Sequence, residues 1–278
     1  MRKLKEYLNK PLSFAVYLLI IISTVITALT VVFIIGYIFI KGVPNLSLDL
    51  FSLKYSSSNQ SMLPSIINTV YLTVLTLLLA VPIGIFSAIY LAEYSRKNSF
   101  FVKIINIANE TLSGIPSIVY GLFGFLAFVI SKKWGYSLLA GVITLAIMVL
   151  PLIIRTSQEA MLGVDNTFRE ASYGLGAGKL RTVFKIVLPS AMPGILSGII
   201  LAIGRIVGET AALIYTAGTV PEAATKLTSS SRTISVHLYC LLNEGLYTEQ
   251  AYATAVVLIV FVVIINALSN ALAKKIMK

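Results

Sequence analysis

Two charged residues, Arg205 and Glu209, stand four positions apart within the otherwise apolar run 191–218. An arginine buried midway along an apolar helix is costly, so such a residue faces an interior or a water path. Positions i and i+4 share one helix face, and the two side chains can pair there. Two readings stay open. In one, the pair neutralises itself and fixes helix packing. In the other, Arg205 meets a passing anion, whose oxygens a guanidinium matches bidentately. Glu209 would then hold the arginine between substrates and be displaced by the anion. An unpaired glutamate would repel such a substrate, which makes Arg205 the stronger candidate.

A second constellation lies in the polar segment 155–189. It contains Glu170-Ala171-Ser172, then Gly176, then Ile186-Val187-Leu188-Pro189. Asp165 and Asn166 are good N-cap types ahead of 167–175. Gly174, Gly176 and Gly178 break that helix, and 179–187 resumes until Pro189. The segment therefore reads as two short helices around a glycine bend. A phosphate-cradling loop needs G-x-x-x-x-G-K-[ST]. Here Leu180 follows Gly178-Lys179, and Tyr173 occupies the first glycine position, so the chain does not hold ATP in that way. His237 is the single histidine and Cys240 the single cysteine. No metal site or disulfide can be built from them, and the histidine reads as a solvated outer-loop residue. No set of side chains suggests covalent catalysis.

The elements that position these residues are membrane spans. Of 278 residues, 57% are hydrophobic and 12% charged, against about 25% charged in an average soluble domain. Charge-free runs fall between Lys10 and Lys41, Glu110 and Lys132, Lys133 and Arg155, and Glu249 and Lys274. Each is about long enough to cross a ~30 Å hydrocarbon core as a helix. The spacing predicts six spans, at 12–40, 64–92 (with Pro82 as a local kink), 104–131, 136–154, 191–218 and 251–273. The first is too long for a signal peptide and has no small-residue cleavage site. Between the last two, 234–242 is apolar but too short to span, which suggests a segment lying at the interface or dipping partway in. With the N-terminus inside, fifteen lysines and arginines fall inside and six outside. That satisfies the positive-inside rule with both ends cytoplasmic, so the net charge of +11 reflects topology and not nucleic-acid binding. Gly194 and Gly198, then Gly204 and Gly208, form small-xxx-small pairs suited either to bundle packing or to a subunit interface. Glu110, beside Asn106 and Asn109, reads as a helix-end or inter-helix hydrogen-bonding residue.

The spacing E-A-A, three residues, G, nine residues, I-x-L-P resembles the cytoplasmic loop motif of ABC importer membrane subunits. Glu170, Ala171, Gly176, Ile186, Leu188 and Pro189 are in register, with Ser172 in place of the third-position alanine. The resemblance implies that this loop is a coupling helix seated in a groove on a separate ATPase. It can be narrowed. Arg205 and Gly208 before Glu209-Thr210-Ala211, the run Ser113-Gly114-Ile115-Pro116-Ser117-Ile118-Val119-Tyr120-Gly121, and Ala88-Ile89-Tyr90-Leu91-Ala92-Glu93-Tyr94 look like phosphate-specific permeases. Leu150-Pro151-Leu152-Ile153-Ile154-Arg155-Thr156 favours the PstA type over its PstC-type partner. The likeness covers about 60–273.

It implies an all-α type I importer permease in the cell membrane of a prokaryote. Residues 1–62 would form the tail, first span and outer loop; 63–273 the transport domain with its coupling loop at 155–190; and 274–278 a cytoplasmic tail. The implied cargo is inorganic phosphate. The implied partners are a PstC-type permease, two copies of a cytoplasmic ATPase that hold the ATP and Mg, an external phosphate-binding protein, and membrane lipid. No cofactor is expected on this chain. The alternatives are an importer of another oxyanion, such as molybdate or sulfate, and an ion-driven secondary anion transporter. The latter favours inverted repeats and broken helices. A non-transporting scaffold would leave the intramembrane charges unexplained.

Overall fold

The apolar runs fold into helices that bury their small residues against one another. A computed structural model describes residues 11–95 and 99–276. The basic residues Arg2, Lys3, Lys5, Lys10, Arg96, Lys97 and Lys278 lie outside the described residues. In chain order, α1 spans Pro11–Gly42, α2 Leu63–Ile89, α3 Phe100–Ser113, α4 Ser117–Gly124, α5 Leu138–Leu162 and α6 Asn166–Gly174. Then follow α7 Lys179–Thr182, α8 Leu188–Gly208, α9 Ala211–Thr216, α10 Ile234–Glu244 and α11 Thr248–Ile276. Among the described residues, five helical segments are long and apolar enough to cross a membrane, and a bent pair supplies the sixth.

The core is α5 sandwiched between α2 and α8. Leu72, Leu145, Met148, Val149, Ile153, Ala202 and Ile206 form its centre, none more than 2% exposed. Glycines let these backbones approach. A Cβ on Gly84 would stand 2.6 Å from Ile153 Cγ2, one on Gly194 2.6 Å from Ala160 Cβ, and one on Gly198 would collide with Thr156. With no water to solvate helices from one another, such close packing supplies much of the association in a bilayer. Helix α1 stands apart from that core. It touches the bundle through α11, where Gly42 abuts the Tyr252 carbonyl and Tyr37 meets Tyr252 edge-on at 5.9 Å.

Four boundaries differ from the sequence expectation. The span placed at 104–131 is two helices, α3 and α4 with its wider-wound extension Phe125–Ser131, bent by 101° at Gly114–Pro116. Pro116 lacks the N–H that would continue the ladder and disfavours a helical residue before it. The span placed at 191–218 ends at Gly208, breaks at Glu209–Thr210, and resumes as α9. Helix α5 runs on to Leu162, so Arg155 is helical and the inner loop is shorter than 155–189. Pro189 does not end a helix. It sits in the first turn of α8, which continues from α7 through a wider turn at Val183–Val187. Pro189 supplies no N–H to that continuous ladder, and the wider-wound turn lies immediately before it, the kind of local adjustment by which membrane helices tolerate proline. Pro82 lies inside α2, which continues past it. The short apolar segment is α10, whose first residues are buried against the bundle.

Candidate functional site

The two helix breaks meet. Gly121 of α4 lies against α9, where an added Cβ would stand 2.7 Å from Ala212 Cα. Gly124 packs against Thr144 and Thr216 in the same way. The half-helices after each break therefore form one unit, wedged onto the N-terminal half of α5. The Tyr120 hydroxyl donates to the Leu112 carbonyl at 2.7 Å, beside the Ile115 N–H that the same carbonyl accepts at 3.2 Å, and so braces the α3–α4 break. Arg205 lies within electrostatic reach of Tyr120. It stands seven residues beyond the Gly198–Thr156 crossing toward the C-terminal end of α8, about 10 Å along the helix.

Arg205 and Glu209 do not pair. Because α8 stops at Gly208, Glu209 adopts an extended conformation (φ −70°, ψ 129°) and leaves the helix face on which i, i+4 pairing depends. Its carboxylate instead turns forward, and Oε1 accepts from the Ala212 N–H at 3.0 Å, capping α9. Its carbonyl accepts from Ser235 Oγ at 2.7 Å. Glu209 is buried and Arg205 half-buried. Among the described residues the ion pairs are Arg155–Glu159 and Arg169–Glu93, so Arg205 is left without a carboxylate. A guanidinium with no protein carboxylate beside it is chemically able to pair with an anion.

The four glycines divide. Gly194 and Gly198 serve packing on α5, whereas a Cβ on Gly204 or Gly208 meets nothing within 4 Å. The open pair flanks Arg205. Toward the C-terminal end of α5, Asn106, Asn109 and Glu110 line an open polar cavity of about 190 Å³ with Arg155, Gln158 and Glu159. Glu110 is exposed there, and its carboxylate makes no hydrogen bond among the described residues. It is therefore not the inter-helix bonding group that its position suggested.

The segment between α5 and α8 is a hydrogen-bonded helical hairpin. Asp165 Oδ1 accepts from the Thr167 N–H at 2.9 Å and from its hydroxyl at 3.0 Å, capping α6 and holding that carboxyl below the usual range. Gly176 turns the chain at φ +81°, a conformation that side chains resist. Ser172 is buried and shares a 2.8 Å hydrogen bond with Thr182, stapling α6 to α7. It therefore faces inward and not outward. Glu170, Ala171, Gly176 and Pro189 are exposed, and Ile186 and Leu188 half-buried. The most exposed apolar side chains are Phe168 at 55%, Leu180 at 67% and Leu175 at 89%. The motif spacing gave no signal for these three.

One arginine ties the hairpin to the bundle. Arg169 Nε and Nη2 donate to Glu93 Oε1 at 3.1 and 2.7 Å, Nη2 also to the Met161 carbonyl at 2.8 Å, and Nη1 to the Val164 carbonyl at 2.7 Å. The pair is largely buried, with side chains 13% and 6% exposed. It joins α6 to the ends of α2 and α5 at once. Sequence reasoning noted both residues but had no basis for pairing positions 76 apart.

His237 is a correction. It is fully buried, not solvated. Burial and the nearby Arg232 cation push its pKa down to about 3, so it stays neutral. No cluster of histidine, cysteine or carboxylate side chains suited to a metal occurs among the described residues.

Comparison with known proteins gives a consistent picture. A family model described as binding-protein-dependent transport system inner membrane component matches residues 80–278. The probable ABC transporter permease protein YqgI of Bacillus subtilis is 32% identical over 249 residues, 83% of this chain and 84% of that protein. The phosphate transport system permease protein PstA of Pasteurella multocida is 35% identical over 230 residues, 81% of each. The fold is shared with a bacterial alginate ABC transporter, crystallised in complex with an alginate pentasaccharide-bound periplasmic protein. That match has a TM-score of 0.69 at 18% identity and covers 100% of this chain and 99% of that one.

Proposed function

Because the chain belongs to the family of binding-protein-dependent transport system inner membrane components, we propose that it forms half of the pathway of an ATP-driven importer of inorganic phosphate. It is a multi-pass membrane subunit of an ABC importer and not an enzyme; the ATPase is a separate subunit. Broken helices also suit an ion-driven carrier, but the family membership and the inner hairpin set this chain among ABC importers.

The observation that carries the cargo reading is Arg205: half-buried in the membrane, beside two open glycines, and with no carboxylate partner. Its free fork matches a tetrahedral oxyanion. Glu209 acts as the cap that holds the α8–α9 break, so its part in transport is to shape the site. Phosphate is favoured over molybdate or sulfate by the likeness to PstA proteins.

The hairpin would pass ATPase motion to the bundle. Leu175, Leu180, Phe168 and the exposed motif residues form the apolar surface for the ATPase groove, with Arg181 and Lys185 beside it. Arg169 then transmits displacement to α2 and α5. Such a permease needs a second permease half, which we take to be PstC-type. It also needs two ATPase copies holding ATP and Mg, and an external phosphate-binding protein. In this arrangement both termini face the cytoplasm.

The test is radiolabelled phosphate uptake by the reconstituted assembly carrying Arg205→Gln. Uptake should fall at least a hundredfold while assembly and basal ATP hydrolysis persist. Normal uptake by an assembled variant would remove Arg205 from the pathway.

A further inference from the structure

The outer side of the bundle holds a second uncompensated cation. Arg232 is only 4% exposed, and two of its nitrogens, Nε and Nη2, are sealed from solvent with no hydrogen-bond partner. One face of its guanidinium is covered by the Tyr55 ring at 4.7 Å. Beside it lies His237, fully buried, with both ring nitrogens also unpartnered and its ring edge-on to Tyr55 at 6.4 Å. The hydroxyl of Ser231, the preceding residue in sequence, is buried and unpartnered as well. The Gln60 carbonyl lies near His237 and the Cys240 sulfur near Arg232, both short of hydrogen-bond geometry, and neither carries a charge. Among the described residues no carboxylate reaches ion-pair distance of Arg232.

Buried polar atoms in folded proteins are nearly always satisfied, and a cluster of orphans marks a missing ligand. A buried charge requires a counter-charge as well as hydrogen bonds. Water would supply an acceptor but would leave the guanidinium uncompensated. We propose that Arg232 and His237 hold between them a small monatomic anion of chloride size, bound by the Nε–Nη2 edge and by the donor of the neutral imidazole.

The segment over the site is latched. The Tyr55 hydroxyl donates to Gln60 Oε1 at 2.8 Å, and Gln60 Nε2 donates to the Ser57 carbonyl at 3.0 Å. Gln60 holds a left-handed φ of +44°. The floor is fixed too. Asn68 Nδ2 donates to the Arg232 carbonyl at 3.1 Å, and Ser235, three residues on, donates to the Glu209 carbonyl. An anion here would brace the outer loop against the α8–α9 break. It is separate from the cargo site, and its existence does not depend on the identity of the cargo.

Bromide replaces chloride and scatters anomalously, so crystals of the intact importer grown in bromide test the site directly. A peak within hydrogen-bond range of Arg232 Nε and Nη2 is expected. The purified assembly should also lose several degrees of Tm when chloride is exchanged for gluconate at constant ionic strength. Arg232→Met should abolish that dependence. Should that variant not fold, the chloride titration of the wild type and of His237→Gln stands in its place, with His237→Gln shifting the half-maximal chloride concentration severalfold upward. Density refining as water with no anomalous signal, or a bromide peak with a Tm indifferent to halide, would overturn the proposal.

Discussion

Removing Arg169 should uncouple ATP hydrolysis from transport without dissolving the bundle. Its guanidinium makes four short donations, two to Glu93 and one each to the Met161 and Val164 carbonyls. In Arg169→Ala the Glu93 carboxylate, 6% exposed, is left buried without its partner. Breaking a buried pair from one side costs about 3–5 kcal/mol. At 1.4 kcal/mol per decade this lowers the docked population of the hairpin by roughly two to three and a half orders of magnitude. Leu145 and Ile153 belong to a different hydrophobic cluster from Met161, whose carbonyl Arg169 holds, so the loss falls locally. In reconstituted importers the variant should hydrolyse ATP with little cargo uptake, and hydrogen exchange across 163–187 should accelerate. The double variant Arg169→Met/Glu93→Leu removes both charges and should recover much of the docking, because replacing a whole buried pair by apolar groups is often neutral. Tight coupling in Arg169→Ala, or a double variant as impaired as the sum of the singles, would refute the argument that this pair carries the motion.

Further outcomes follow from other contacts. Gly176→Ala forces a side chain into φ +81° and should weaken the hairpin by about 1 kcal/mol, read as faster local hydrogen exchange. Leu175→Asp should abolish co-purification with the ATPase while leaving the Tm of this chain unchanged, because the side chain is 89% exposed. Gly198→Leu should prevent folding through collision with Thr156, whereas Gly204→Ala should fold normally, since its Cβ meets nothing within 4 Å. His237 has a folded pKa near 3 against 6.5 ordinarily. In halide-free buffer, where no anion offsets Arg232, the unfolded chain therefore takes up the proton first, and stability should decline as pH falls from about 6.5 toward 3, by up to roughly 1.4 kcal/mol per unit. Thermal unfolding of wild type and His237→Gln across that range reads the difference.

Much of the fold was legible because hydropathy runs count spans directly, and the motif from Glu170 to Pro189 fixed the inner hairpin. The breaks were harder to place. Gly114-Ile115-Pro116 signals one through proline chemistry, but nothing in Gly208-Glu209-Thr210 does. That break is held by Ser235 from another helix and by the forward-turned carboxylate. The i, i+4 pairing of Arg205 with Glu209 assumed an unbroken helix and failed with it. Ser172 fitted the motif register yet points inward, because spacing does not show which side of a short helix faces its neighbour. The pairing of Glu93 with Arg169 and the burial of His237 beneath Tyr55 are long-range contacts, on which local pattern is silent.

The most direct measurement is oxyanion uptake by vesicles holding this chain with a PstC-type permease, the ATPase and a phosphate-binding protein. The account predicts phosphate accumulation that requires ATP, survives collapse of ion gradients, and resists competition by sulfate and molybdate. Uptake driven by an ion gradient without ATP, or accumulation of sulfate or molybdate in preference to phosphate, would contradict it.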